Sequence, residues 1–149
     1  MTAKTVEELV DEVLRLRGRV LSVSRDTNEQ RGLSGHSQGL VLSAIIHAQT
    51  PPTVARIARS FGLTRQAIQR TVNELHLNGL VDFLDNPEDL RTNRLRATTA
   101  GKRAHARFND TRKQWLEKVE THVGADHIQH AVETLRRVRH YLEDIDKPK

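Results

Sequence analysis

Apolar positions recur at helical spacing near both ends of the chain, and the rhythm shortens in the middle. Val6, Leu9, Val10, Val13, Leu16, Val20 and Leu21 follow one another at three- and four-residue steps and predict a helix over Val6–Val23. Thr5 stands where its N-cap belongs, with Glu8 completing a capping box. Asp26–Gly35 is polar, contains Gly32 and Gly35, and reads as a loop. Leu40, Val41, Ala44, Ile45 and Ala48 predict a shorter second helix, stopped by Thr50-Pro51-Pro52. A third, over Thr53–Ser60, carries Val54, Ile57, Ala58 and Phe61 on one side and breaks at Gly62. Thr64 opens a fourth, Arg65–Asn78, which Gly79 closes. Leu80–Leu84 and Arg91–Ala97 read as strands around a Pro-containing tip, Asp85–Leu90. Thr98 or Thr99 caps a long helix running to about Val123, with Ala104, Phe108, Trp115 and Val119 as its apolar markers. After a break at Gly124, Asp126 caps a last helix with Ile128, Val132, Leu135, Val138, Leu142 and Ile145 on one face. The predicted fold is mainly α with one small β-hairpin.

The chemistry lies in the middle. A short helix, a tight turn at Gly62 and a second helix capped by Thr64 make a helix-turn-helix, with Val54, Ile57, Ala58, Leu63, Ile68, Val72 and Leu75 as its expected buried positions. On a 3.6-residue wheel Arg65, Gln69 and Asn73 form one outward row, and Gln66 and Arg70 the next. Arg pairs bidentately with guanine, and Gln or Asn with adenine, so these five side chains have what major-groove reading requires. Glu74 is the helix's one acid and stands off this row; an ordinary solvated face usually mixes both signs. The free N–H groups at the start of the helix, beside Thr64, suit a phosphate. In the hairpin, Arg94 and Arg96 alternate with Leu95 and Ala97 and so share a strand face. Arg91 sits at the shoulder of the tip, with Asp89 placed to hold it; an arginine there is suited to a narrow minor groove.

Composition narrows the field. At 149 residues the chain is one domain, and with aromatics at 3% its core must be aliphatic. No cysteine is present, which excludes disulfides and thiolate metal sites. No run approaches the roughly 18 apolar residues of a membrane span. Met1–Asp11 lacks a signal-peptide pattern, so a cytoplasmic protein without a membrane partner is expected. The net charge of +5 is local: residues 54–107 hold ten Lys and Arg against five Asp and Glu, while both flanks balance. A basic middle third fits either a solvated face or a footprint on nucleic acid. His122, His127 and His130 lie close in sequence, but zinc needs three or four converging ligands, and no metal site is expected there.

Leu63-Thr64-Arg65-Gln66-Ala67 through Leu75, then Asn78-Gly79-Leu80-Val81, Asn86-Pro87-Glu88-Asp89-Leu90-Arg91 and Ala97-Thr98-Thr99-Ala100-Gly101 resemble the MarR family of winged-helix transcription regulators. The flanking helices match in order and length. Ala97-Thr98 stands where the family usually has Leu-Thr, and Thr92 replaces a second wing arginine. The resemblance implies a winged helix-turn-helix lobe over residues 36–107, with dimerisation helices in 1–35 and 108–149. It further implies a homodimer, acting as a repressor, that binds double-stranded DNA at a pseudo-palindromic operator. The apolar faces of the terminal helices point the same way, since a monomer of this length cannot bury them all. The resemblance also implies a small aromatic or phenolic effector in a crevice between dimer helices and lobe, with Arg15, Arg19, His36, Leu40, His47, Phe108 and Trp115 as candidate liners. No other cofactor is expected.

Three rival readings are weighed against this one. An enzyme would need a phosphate-binding Gly-rich loop, a nucleophile elbow or a paired-carboxylate site, and none is visible. A winged-helix protein-interaction module would lack the Arg, Gln and Asn face. An architectural DNA binder with little sequence preference would need only the basic patch.

Overall fold

The computed structural model describes residues 3–29 and 36–146. Its elements are α1 (Lys4–Glu29), α2 (His36–His47), α3 (Val54–Phe61), α4 (Arg65–Leu77), β1 (Val81–Asp85), β2 (Asn93–Ala97), α5 (Thr99–Val123) and α6 (Ala125–Ile145). The two strands are antiparallel, with Val81 opposite Ala97 and Asp85 opposite Asn93. The element order matches the apolar pattern. The differences lie at the boundaries.

α1 runs on through Glu29, into the segment expected to be a loop. Residues 24–29 are polar but include neither Gly nor Pro, so nothing in the backbone stops the helix there. Residues 30–35, the rest of that expected loop, lie outside the described residues. Thr5 is not the cap: it sits inside the first turn, where the Glu7 N–H donates to the Ala3 carbonyl at 2.8 Å. Asp126 is likewise inside α6, which starts directly after Gly124 without a side-chain cap. Its carboxylate favours that helix end through charge alone.

The core gathers side chains from the middle elements: Val41, Leu42 and Ile45 from α2, Ile57 and Ala58 from α3, and Ile68, Val72 and Leu75 from α4. Val81, Leu95 and Ala97 of the hairpin and Ala104 and Phe108 of α5 complete it. Phe108 packs against α2 at Gly39, where an added Cβ would stand 3.4 Å from the ring. α5 therefore passes unbroken from this lobe into the outer helices. Neither α6 nor the described side chains of α1 contain a buried residue.

Caps and glycines explain the tight geometry of the middle. The Thr53 hydroxyl accepts from the Arg56 N–H at 3.2 Å and starts α3. Gly62, at φ 64°, ends it: Gly62 N–H donates to the Arg59 carbonyl and Leu63 N–H to that of Ala58, a Schellman closure. Leu63 leaves this turn pointing outward and is 55% exposed, not buried as its place in the pattern suggested. The same closure recurs at Gly79, φ 73°, where Leu80 N–H donates to the Leu75 carbonyl. That engagement of Leu80 delays β1 to Val81. Thr98 joins hairpin to helix: its hydroxyl donates to the Gly79 carbonyl at 2.6 Å and accepts from the Gly101 N–H at 3.0 Å. A Cβ at Gly101 would fall 2.1 Å from the Leu80 carbonyl oxygen, so only glycine admits this crossing.

One link was not visible in the local pattern. Leu95 N–H donates to the Pro52 carbonyl at 2.8 Å, and Thr53 bridges to Arg94, so the segment before α3 adds a short third edge to the hairpin.

Candidate nucleic-acid interface

α4 is built to present one face. The Thr64 hydroxyl accepts from the Ala67 N–H at 3.1 Å, and Ile68, Val72 and Leu75 anchor the inner side. Arg65, Gln66, Arg70 and Asn73 are exposed and Gln69 is half-buried, as the wheel predicts. Gln69 donates from Nε2 to Asn73 Oδ1 at 2.9 Å, which holds the two amides side by side and leaves the Asn73 N–H donors for another partner. Glu74 stays exposed beside Arg70 at the edge of this face, and its carboxylate accepts from Gln38 Nε2 of α2 at 2.9 Å; Gln38 is itself buried.

Arg65, Gln66 and Gln69 line a groove of about 800 Å³ together with the wing residues Asp89, Arg91 and Asn93. Recognition helix and wing tip therefore face a common space. Arg70 opens on the other side of α4, onto a smaller groove with Leu40, Phe61 and Leu63. At the tip, Asp89 Oδ1 accepts from the Arg91 backbone N–H at 3.0 Å and from Arg91 Nε at 3.2 Å. This is the predicted ion pair, and it uses only Nε of the guanidinium. Arg94 and Arg96 share a strand face as expected, but it is the face away from Leu95 and from the groove. Arg94 meets Glu88 at 3.6 Å and Arg96 meets Asp82 at 3.7 Å. Arg94 lines a separate cleft against α3 and the end of α6. Of the four wing residues predicted, the structure brings Asp89 and Arg91 to the recognition helix and sets Arg94 and Arg96 behind them.

The seven candidate effector liners fall into several environments. Arg15 and Arg19 are exposed on α1, and the side chain of His36 lies outside the described residues. Leu40 lines the groove shared with Arg70, and Phe108 is 2% exposed within the core. His47 meets His105 edge-on, ring centroids 5.3 Å apart, and Trp115 is half-buried further along α5. The sequence reading missed the residues that join the last two. His105 is buried; that burial, then the nearby His47 and Arg112, pushes its imidazole below the usual pKa of 6.5. Arg112 stacks over the Phe108 ring at 4.7 Å, and burial lowers its guanidinium pKa as well. Among the described residues, Arg112 Nε and Trp115 Nε1 are both buried without a hydrogen-bond partner. The signal that could have found it is helical spacing: His105 and Arg112 fall at three- and four-residue steps on the face that carries Phe108 and Trp115.

Asn86 was also missed as a functional position. It is 6% exposed and organises the wing tip. The Asn-Pro pair it forms with Pro87 is a turn signal that points to it. Among the described residues no three His or acidic side chains group as metal ligands, and no helix is long and apolar enough to cross a membrane.

A capped helix-turn-helix followed directly by a two-stranded wing defines a winged helix-turn-helix protein. A model of the MarR family matches residues 31–92. An uncharacterized protein of Mycobacterium tuberculosis is 30% identical over 97 residues, covering 62% of this chain and 68% of that relative. The chain belongs to the MarR family of transcriptional regulators. Among solved structures, Streptococcus pneumoniae FabT in complex with DNA superposes with a TM-score of 0.68 at 16% identity, over 95% of this chain and 99% of that one. Staphylococcus aureus MarR in complex with salicylate and kanamycin gives 0.73 at 19% identity, over 94% and 95%. At these identities the likeness is one of fold.

Proposed function

We propose that the chain is a sequence-specific DNA-binding repressor that acts as a homodimer. Arg65, Gln66, Gln69, Arg70 and Asn73 read base edges in the major groove, and Arg91 enters the adjacent minor groove. The observation that carries this reading is the outward face of α4, whose one acid is tied back to α2 by Gln38. With the carboxylate engaged there, the face offers arginine and amide groups to bases that present acceptors and donors in a matching pattern. An architectural binder would not need the paired amides of Gln69 and Asn73. The FabT complex with DNA is a precedent for the same fold on a duplex. Dimerisation is favoured by the apolar residues left uncovered on the terminal helices: Val10, Leu14 and Leu16 of α1, Val119 of α5, and Leu142 and Ile145 of α6 are all exposed. The test is Arg70→Ala on a duplex selected from random DNA. Specific affinity should fall by about 1–3 kcal/mol with relaxed preference at one base pair. Equal loss on selected and scrambled duplexes would reject base reading.

The effector reading rests on α5. A small aromatic acid would find partners beside His105, Arg112 and Trp115, where two buried N–H groups are unpaired among the described residues and a cation is already partly desolvated. The salicylate complex of Staphylococcus aureus MarR supports this ligand class. Sodium salicylate should release wild-type protein from its duplex in a titration, whereas Arg112→Gln should stay bound at the same concentration. Identical release curves would place the effector elsewhere.

A further inference from the structure

The wing tip carries an apolar side chain with no role in the fold. Leu90, between Asp89 and Arg91, is 86% exposed. An isolated exposed leucine is ordinary on a protein surface. What distinguishes Leu90 is the scaffold beneath it. Asn86 Nδ2 donates to the Thr92 hydroxyl at 3.1 Å, and Asn86 Oδ1 accepts from the Glu88 N–H at 3.1 Å. Asp89 N–H donates to the Asn86 carbonyl and Thr92 N–H to the Asp89 carbonyl, each at 3.2 Å. With Asp89 fixing Arg91 as well, every residue flanking Leu90 is tied down. Joining two strands requires only a two-residue turn. This longer tip is ordered in advance and projects one leucine and one arginine into solvent, the arginine side chain being 90% exposed.

We infer that Leu90 is a wedge that presses into a base step in the minor groove while Arg91 holds the groove beside it. The inference rests on the reading of the wing as a minor-groove arm and adds what that arm selects. Leu90 has no polar atom with which to read a base edge or bind a phosphate. Leucine is among the side chains that enter a partly unstacked step, with the apolar surface leaving water as it does so. Such a wedge selects steps that open cheaply: pyrimidine–purine steps such as TA and CA deform readily, and AA steps within A-tracts resist. Arg91, with Nε engaged by Asp89, keeps its two terminal nitrogens for the acceptors on the groove floor. The pre-ordered tip lowers the entropy lost when the wing is immobilised. The wing thus contributes specificity at a position where it makes no hydrogen bond to a base.

The experiment uses the full chain and duplexes selected from a random pool, rebuilt with TA or AA under the wing and with 2-aminopurine replacing the adenine of that step. Wild-type protein should raise the 2-aminopurine fluorescence on the TA duplex and bind it about ten-fold more tightly than the AA duplex. Leu90→Ser should abolish the fluorescence rise and bring the two affinities within about two-fold of each other. It should leave the salt dependence unchanged, because no phosphate contact is lost, and it should leave the melting temperature unchanged. Leu90→Met should retain the wild-type behaviour. A wild-type complex without fluorescence change, or Leu90→Ser indistinguishable from wild type, overturns the wedge while leaving duplex recognition intact. A selection that enriches no duplex overturns recognition and wedge together.

Discussion

Glu74 shows how a contact distant in sequence sets the direction of one side chain. Its carboxylate stays exposed beside Arg70, and the bond from the neutral amide of Gln38 directs it toward α2 as a strut between α2 and α4. That bond joins residues 36 apart, so no window of sequence reveals it. Leu63 is a second case. Its place in the apolar pattern suggested burial, but the left-handed Gly62 turns it out beside Leu40 and Phe61. Periodicity reports a face only while the backbone stays helical. His105 is the third, a buried imidazole in what reads as a polar helix. Because burial, His47 and Arg112 lower its folded pKa below 6.5, the unfolded chain binds the proton first. Its contribution is fully present above pH 6.5 and is lost as pH falls toward the lowered folded value. Thermal melts should show stability declining below pH 6.5, and His105→Gln should flatten that decline. A wild-type slope that survives the substitution would assign the proton to another group.

At the level of elements, the recognition unit was the most legible part of the chain. Thr64, Gly62 and Gly79 mark helix ends by mechanisms that need no tertiary contact, and α4 lies within one residue of its predicted span. Caps were less legible where helix residues compete for the role, as at Thr5 and Asp126. The wing was placed correctly in sequence but only partly in space. Alternation put Arg94 and Arg96 on one face, and the pairing with Pro52 and Thr53 determines which neighbours that face meets. Arg94 and Arg96 pair with carboxylates across exposed surface, and such pairs contribute little to stability. Arg91 is the wing residue that shares a groove with Arg65, Gln66 and Gln69. Arg91→Ala should therefore weaken binding chiefly on duplexes with A·T-rich flanks, where the minor groove is narrow, and gel-shift titrations on matched A·T and G·C flanks will read it. Equal affinity for wild type and variant on both flanks would take the wing out of the interface.

The whole molecule divides its labour along α5. Ala104 and Phe108 belong to the lobe core, while Leu116, Val119 and Val123 further along the same helix are exposed. The described parts of α1 and all of α6 contribute no buried side chain, although each has a periodic apolar stripe. This was legible from the start, because a stripe without enough neighbouring chain to cover it implies a partner surface. The sequence reading did not foresee the contact between His47 of α2 and His105 of α5, which lie 58 residues apart. In the proposed homodimer a two-fold pair of lobes would place two α4 helices in successive major grooves, with half-sites about 10 base pairs apart. The most direct measurement is selection of bound duplexes from random DNA by the purified full chain, with the mass of the resulting complex determined. The account predicts an inverted repeat at that spacing carrying two chains per duplex. An unpaired half-site holding one chain, or no enriched sequence at all, would contradict it.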